Sequence, residues 1–214
     1  MARYAVLRAC QRRVPFHLGG GAALAGVFLG HRTSRDVDLF CHDSDAHREL
    51  VGILPAAAAE VGGTFVVLRD GGGHARGELD IGGVRLAVDA VHEALPDLEP
   101  AMPDVDGVTI ESLADLRASK LTCLLSRRET RDLVDVLFLE RAGFSPEADL
   151  DLALRKDAGI DPAILGWLVA QFPVEPLPQM LKPLTAADLG RYRDQLANRL
   201  RQLALGGGPS SWLS

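Results

Sequence analysis

The sequence predicts an α+β protein with a small mixed sheet and flanking helices in its N-terminal half, followed by an all-helical C-terminal half. Two patterns point there. Before residue 107, helical stretches alternate with short apolar/polar runs of period two that are separated by glycine pairs and triplets; after a proline- and acid-rich stretch over 95–107, only helical spacing remains. Size agrees, since 214 residues with 47% hydrophobic content suffice for one large domain or two small ones around a real core. The composition shift sets the expected domains at 1–107 and 108–214.

In chain order, residues 3–13 read as a short amphipathic helix, and 14–18 as a brief extended run ending at the turn Gly19-Gly20-Gly21. Good helix formers fill 22–29, and Gly30 with Thr33 and Ser34 stops that helix before the alternating strand 36–40. An alanine-rich helix follows over 45–61, with Pro55 as the one point where it could break. Three strands are expected at 64–69, 76–81 and 84–91, the last two joined by the hairpin-like Gly82-Gly83. Ser112 and Asp115 resemble a capping box that opens a helix towards Leu125, and a second helix over 130–141 ends at Gly143. Further helices are expected at 146–156, 162–171 and 186–205, with a loose tail over 206–214.

Composition excludes several classes. No apolar run approaches the roughly 18 to 20 residues that span a bilayer, and the N-terminus lacks signal-peptide character, so a cytoplasmic protein without membrane partners is expected. Cys10, Cys41 and Cys123 are odd in number and far apart, as suits free thiols rather than a disulfide framework. A net charge of -6 argues against a surface that binds nucleic acid everywhere and leaves room for a local arginine-rich patch. Lysine occurs only as Lys120, Lys156 and Lys182. The six histidines show no metal-ligand spacing and are expected to be structural or surface residues.

The chemistry concentrates on Asp36-Val37-Asp38. Residues two apart on a strand share a face, so both carboxylates project together while Val37 and Leu39 face the core. Carboxylates held that close repel unless a cation lies between them, and Mg²⁺ commonly bridges one or two such groups to substrate phosphates. Asp89, the one acid in the apolar run 84–91, is the candidate third carboxylate, and the cost of burying it unpaired puts it at an edge opening on a cleft. The glycine turn precedes a helix, an arrangement that receives phosphate, though it matches neither a Walker P-loop nor G-x-G-x-x-G.

Together, Leu18-Gly19-Gly20-Gly21-Ala22-Ala23-Leu24 and His31-Arg32-Thr33-Ser34-Arg35-Asp36-Val37-Asp38-Leu39-Phe40 strongly resemble the opening of the AbiEii/AbiGii-type toxin nucleotidyltransferases, members of the polymerase-β-like superfamily. Residues 120–139 resemble the family's second signature, with Lys120, then Arg127 or Arg128, then Arg131-Asp132 and Asp135. Spacing alone would let Arg128 brace Asp132 and Arg131 brace Asp135. The family usually carries Ser or Thr where this chain has Ala22, so either backbone amides and the extra Gly19 suffice for phosphate or its binding is weaker.

The resemblance implies a polymerase-β-like nucleotidyltransferase core, with the helical domain completing the active-site cleft. It implies transfer of NMP from an NTP to an acceptor hydroxyl, in some relatives a tRNA 3′ end, with release of pyrophosphate, in a protein paired with a cognate antitoxin. Asp36, Asp38 and Asp89 are the expected ligands of Mg²⁺ or Mn²⁺, Asp89 serving the second ion or acting as general base. Lys120 and Arg32 are expected to hold phosphate oxygens and Asp132 to orient Lys120 or a neighbouring arginine. Gly20, Gly21, Ala22, Ser34 and Arg128 complete the expected nucleotide-binding set, Ser34 by shaping the turn into the strand. Arg117, Arg127, Arg128, Arg191, Arg193, Arg199 and Arg201 could form a wall for RNA phosphates. The alternatives are an aminoglycoside-like small-molecule nucleotidyltransferase and a nucleotide- or partner-binding module that has lost catalysis.

Overall fold

Alternation places Val37, Leu39 and Cys41 on one side of a strand and Asp36, Asp38 and Phe40 on the other, and this strand organises the first half of the molecule. The computed structural model describes residues 2–102 and 107–206. Its chain forms two units, Met1–Phe28 with Ser34–Leu113, and Leu29–Thr33 with Ala114–Ser214.

The first unit contains α1 (Ala2–Gln11), β1 (His17–Gly19), α2 (Gly20–Ala23), β2 (Asp36–Cys41), α3 (Ser44–Glu60), β3 (Thr64–Gly71), β4 (His74–Ile81) and β5 (Val84–His92). The strands make one sheet in the order β1-β2-β5-β4-β3. The β2–β5 pair is parallel and the other pairs are antiparallel, so the sheet is mixed. One face is apolar: Val37 and Leu39 of β2 stand opposite Val88 and Ala90 of β5, and Leu79 of β4 opposite Leu86. Leu50, Leu54, Ala57 and Ala58 of α3 belong to the same buried set. Asp43 caps α3 by accepting from the amides of Asp45 and Ala46, and the helix runs unbroken through Pro55. Gly77 is required under Phe65, because a Cβ there would collide with the ring. Cys10 and Cys41 are free and buried, and burial pushes both thiols up to about 11.

The second unit is helical throughout its regular elements: α4 (Leu113–Ser126, of which Leu113 itself falls in the first unit), α5 (Thr130–Arg141), α6 (Leu150–Lys156), α7 (Pro162–Val169) and α8 (Ala186–Gly206). Leu124, Leu133, Val134, Leu165, Leu189, Leu196 and Leu200 form its core. Asp161 caps α7, with Pro162 at the first helical position. None of the described helices is long and apolar enough to cross a membrane.

Besides Pro55, three expectations change. The helix expected over 22–29 begins two residues earlier, at Gly20 with φ 58°, and after Ala23 it widens into a π-helical segment, Leu24–Leu29. The helix expected from Pro146 starts only at Leu150, because Ser145 holds Glu147 through its hydroxyl and accepts from the Ala148 amide, a local turn that competes with helix. The helix expected to reach Gln171 ends at Val169. The expected tail lies, apart from Gly206, outside the described residues, as do 103–106 of the expected linker.

Candidate active site

Register decides which acids of the first unit meet. Asp38 pairs directly with Asp89 across the parallel β2–β5 ladder, and Asp36 pairs with Ala87. Side chains opposite one another in a ladder share a face, so Asp36, Asp38 and Asp89 all project from the face opposite Val37, Leu39 and Val88. The backbones of Asp38 and Asp89 are therefore one strand spacing, about 4.8 Å, apart. Asp36 and Asp38 are half-buried and Asp89 is buried.

The glycine turn stands at the same place because β1 pairs Gly19 with Asp38. Gly20 has a left-handed backbone, and a Cβ on it would collide with the Asp38 carboxylate. Both requirements restrict this position to glycine. The Gly20 amide points at the Glu111 carboxylate, at 3.4 Å, rather than standing empty for phosphate. The Ser34 hydroxyl donates to the Asp36 carbonyl at 3.2 Å and so fixes the entry into β2. Gly21 and Ala22 follow within α2.

Asp89 is drawn towards β4. Arg76, its register partner, donates from Nη1 to both carboxylate oxygens at 2.9 and 3.2 Å, and His74 Nε2 lies 2.8 Å from Oδ1. Spacing along the sequence does not reveal these partners, which arise from the antiparallel β4–β5 register.

The signature around Lys120 forms a separate network inside the second unit. Asp135 is its centre. Arg32 grips it with a fork, Nε to Oδ1 and Nη2 to Oδ2, each at 2.7 Å. His31 Nε2 donates to Oδ1 at 2.8 Å, and Lys120 Nζ reaches Oδ2 at 2.8 Å and Asp132 Oδ1 at 3.3 Å. His31 Nδ1 is buried without a hydrogen-bond partner, so a hydrogen there would go unsatisfied and the ring keeps it on Nε2. Asp132, in the first turn of α5, also accepts from Arg127 Nε and Nη2 at 2.8 and 3.0 Å.

All of these groups except Arg127 are at most a few percent exposed. Burial alone would raise the Asp135 carboxyl, but the Lys120 charge beside it and the hydrogen bonds from His31 and Arg32 hold it far below the usual carboxylate range. Burial likewise works against the Lys120 charge, and the two aspartates overcome it, so its ammonium holds its proton more tightly than an ordinary lysine.

Several expected roles look different in this geometry. Arg32, expected on phosphate, presents its fork to Asp135 and its remaining Nη1 to the Thr33 carbonyl. Arg127 rather than Arg128 braces Asp132, because the turn over 127–129 directs Arg128 to Gln171. Arg131 pairs with Glu129. The arginine wall is largely occupied within its own unit: Arg117 pairs with Asp149, Arg191 with Asp188, Arg193 with Asp194, and Arg199 with Glu140 and Glu147.

Sequence spacing also missed a histidine pair. His17 stands opposite Phe40 in the β1–β2 ladder and stacks on its ring, with centroids 5.6 Å apart and planes 17° apart. His42, two residues past Phe40, lies 5.3 Å from the His17 ring, and one ligand atom each from His17, His42 and Asp97 falls within 4.8 Å of the others. The usable signal was an i, i+2 relation across an antiparallel register, which becomes visible only once β1 is paired.

Comparison with known proteins agrees with this architecture. The family model described as "Nucleotidyl transferase AbiEii toxin, Type IV TA system" matches residues 5–212. Among solved structures, MenT4, a nucleotidyltransferase toxin from Mycobacterium tuberculosis, is similar with a TM-score of 0.67 and 20% identity, covering 93% of this chain and 81% of that one. JHP933 from Helicobacter pylori is similar with a TM-score of 0.60 and 19% identity, covering 96% and 91%. No curated protein gives a significant match. At these identities the structural likeness carries the fold, and the family model carries the membership.

Proposed function

Because the chain belongs to the AbiEii nucleotidyltransferase toxin family and is thus a nucleotidyltransferase, we propose that it transfers NMP from an NTP to an acceptor hydroxyl at the carboxylate face of β2 and β5, with an RNA 3′ end as acceptor. The observation that carries the reading is the register of Asp38 on Asp89, with Asp36 on the same face and a glycine turn that no side chain can enter beside Asp38.

The donor set fits a hard divalent cation: three carboxylates on one face, two of them half-open. Asp36 and Asp38 would hold Mg²⁺ or Mn²⁺, which when bound neutralises triphosphate charge and favours the ionised acceptor hydroxyl. In the reaction the acceptor oxygen attacks the α-phosphorus, the bond to the bridging oxygen of the β-phosphate breaks, and pyrophosphate leaves. Asp89 would take the acceptor proton or hold a second ion, and in either role it must exchange its contacts with Arg76 and His74 for the substrate or ion. Arg76 would then be released beside the triphosphate as a cation for the departing charge.

We keep Lys120 and Asp132 as candidate catalytic residues on the family signature. The two-aspartate clamp makes Lys120 a permanently charged group whatever its contact with phosphate. For Arg32, the fork on Asp135 favours a supporting role over direct phosphate binding. Membership in a type IV toxin–antitoxin family supports a cognate antitoxin as partner.

The test is incubation of the protein with each α-labelled NTP and Mg²⁺ or Mn²⁺, alongside total tRNA and, separately, an aminoglycoside panel. The expected product is labelled RNA 3′ ends, abolished by chelator and by Asp36→Asn. Label on the drugs with none on RNA would sink the RNA reading and leave the small-molecule enzyme, while nucleotide binding without turnover, indifferent to Asp36→Asn, would favour the inert module.

A further inference from the structure

We propose that His17, His42 and Asp97 form a second metal site, for a transition-series divalent cation of the zinc class, separate from the carboxylate face and independent of the nucleotidyl-transfer reading. All three residues belong to the first unit. One ligand atom from each lies within 4.8 Å of the other two. A tetrahedral zinc ion with ligand bonds of about 2.0–2.2 Å separates its ligand atoms by roughly 3.3–3.5 Å, so small side-chain rotations close the set.

Hydrogen bonding supports coordination at His42. Its Nδ1 lies 3.0 Å from the Glu93 carbonyl, and a carbonyl only accepts, so Nδ1 carries the hydrogen. The lone pair is then on Nε2, which sits 3.0 Å from Asp97 Oδ1. The Nε2 lone pair and the Asp97 carboxylate thus converge on one point, where a metal ion can take both after a small rotation. The carbonyl-anchored imidazole with its other nitrogen turned to an acid is the arrangement that orients histidine ligands in metal sites. A proton would serve His42 and Asp97 alone, whereas a metal ion also uses the second imidazole that β1 brings within the same distance.

Two nitrogens and one oxygen suit zinc, cobalt or nickel better than magnesium, which selects oxygen. Three protein ligands leave a coordination position for water or a ligand group. A cavity of about 270 Å³, lined by His17, Phe40, His42 and Phe16 among others, adjoins it. The ion would tie the segment after β5, through Asp97, to β1 and the end of β2. His42 lies four residues beyond Asp38, about 13 Å along the chain, so the site borders the carboxylate face without sharing ligands with it.

The experiment titrates the full-length protein with CoCl₂ and then ZnCl₂ in excess Mg²⁺, following the visible absorption of low-coordinate cobalt and the heat of binding. One equivalent of cobalt is expected to give the band and zinc to remove it. His42→Ala and Asp97→Asn, at partly exposed positions and checked for unchanged circular dichroism, are expected to weaken cobalt binding about tenfold or more, with Asp36→Asn leaving it unchanged. No band at one equivalent, a band that survives His42→Ala, or a band lost in Asp36→Asn would each overturn the site, the first in favour of a protonated His42 on Asp97 and the last by moving the ion to the carboxylate pair.

Discussion

The two units treat the same chemical group in opposite ways. On the β2–β5 face, Asp36 and Asp38 are half-open carboxylates placed side by side. In the helical unit, Asp132 and Asp135 are completely buried and surrounded by Lys120, Arg32, Arg127 and His31. The first arrangement gathers carboxylates on a partly open face, where a cation can reach them, so its value lies in binding. The second is satisfied internally, and its removal exposes partners to an interior that cannot solvate them. Asp36 and Asp38 should therefore answer to activity assays, and Asp135, the centre of the buried network, to unfolding.

The largest effect is expected where the network is deepest. Asp135→Ala strands Arg32 and Lys120 without their shared acceptor and should cost about 3–5 kcal/mol in urea unfolding. A loss below about 1 kcal/mol would put the stabilising weight elsewhere. Next, Asp38→Asn should lower labelled-nucleotide transfer by about 100-fold or more while changing the unfolding midpoint far less than Asp135→Ala does, because the substitution is isosteric and Asp38 is only half-buried. An equally destabilised variant would erase the contrast between the units.

Acid should separate them further. The folded Asp135 carboxyl lies below its unfolded value of 3.8, so its contribution to stability is fully present above that value and fades as the pH falls through the folded one. The stability gap between the wild type and Asp135→Asn is expected to be constant from pH 7 to about 5 and to narrow below about 4. A gap that widens in acid would contradict the network's sign. The smallest effect concerns Arg76. Its side chain is 48% exposed, so Arg76→Ala should change stability by less than about 1 kcal/mol, yet lower the Mg²⁺ concentration for half-maximal transfer a few-fold by releasing Asp89. An unaltered Mg²⁺ requirement would remove Asp89 from the metal-binding set.

Legibility followed the range of the physical signal. Period two placed Asp36 and Asp38 together, and glycine punctuation found β3 to β5 within a few residues, because both are local patterns. The helix over 130–141 was readable from the same kind of evidence, and its bounds match α5 residue for residue. What a side chain grips across a register is not local. Asp135 appeared only as a brace for Arg131, whereas it is the hub for residues more than a hundred positions upstream. Arg76 and His74 on Asp89, and His17 beside His42, likewise depend on which strands become neighbours. The π-helical segment escaped because its residues are ordinary helix formers, and a widened turn leaves no trace in composition.

The pairing of Asp38 with Asp89 also limits how this protein can change. Inserting or deleting one residue between Ser34 and Asp36 that slips β2 by one place would turn Val37 and Leu39 to the open face and both acids into the core. Length variation there can survive only if the loop absorbs it whole. The segment that shapes the site is thus a phase-locked piece of sequence, open to substitution at many positions and closed to any change in its count.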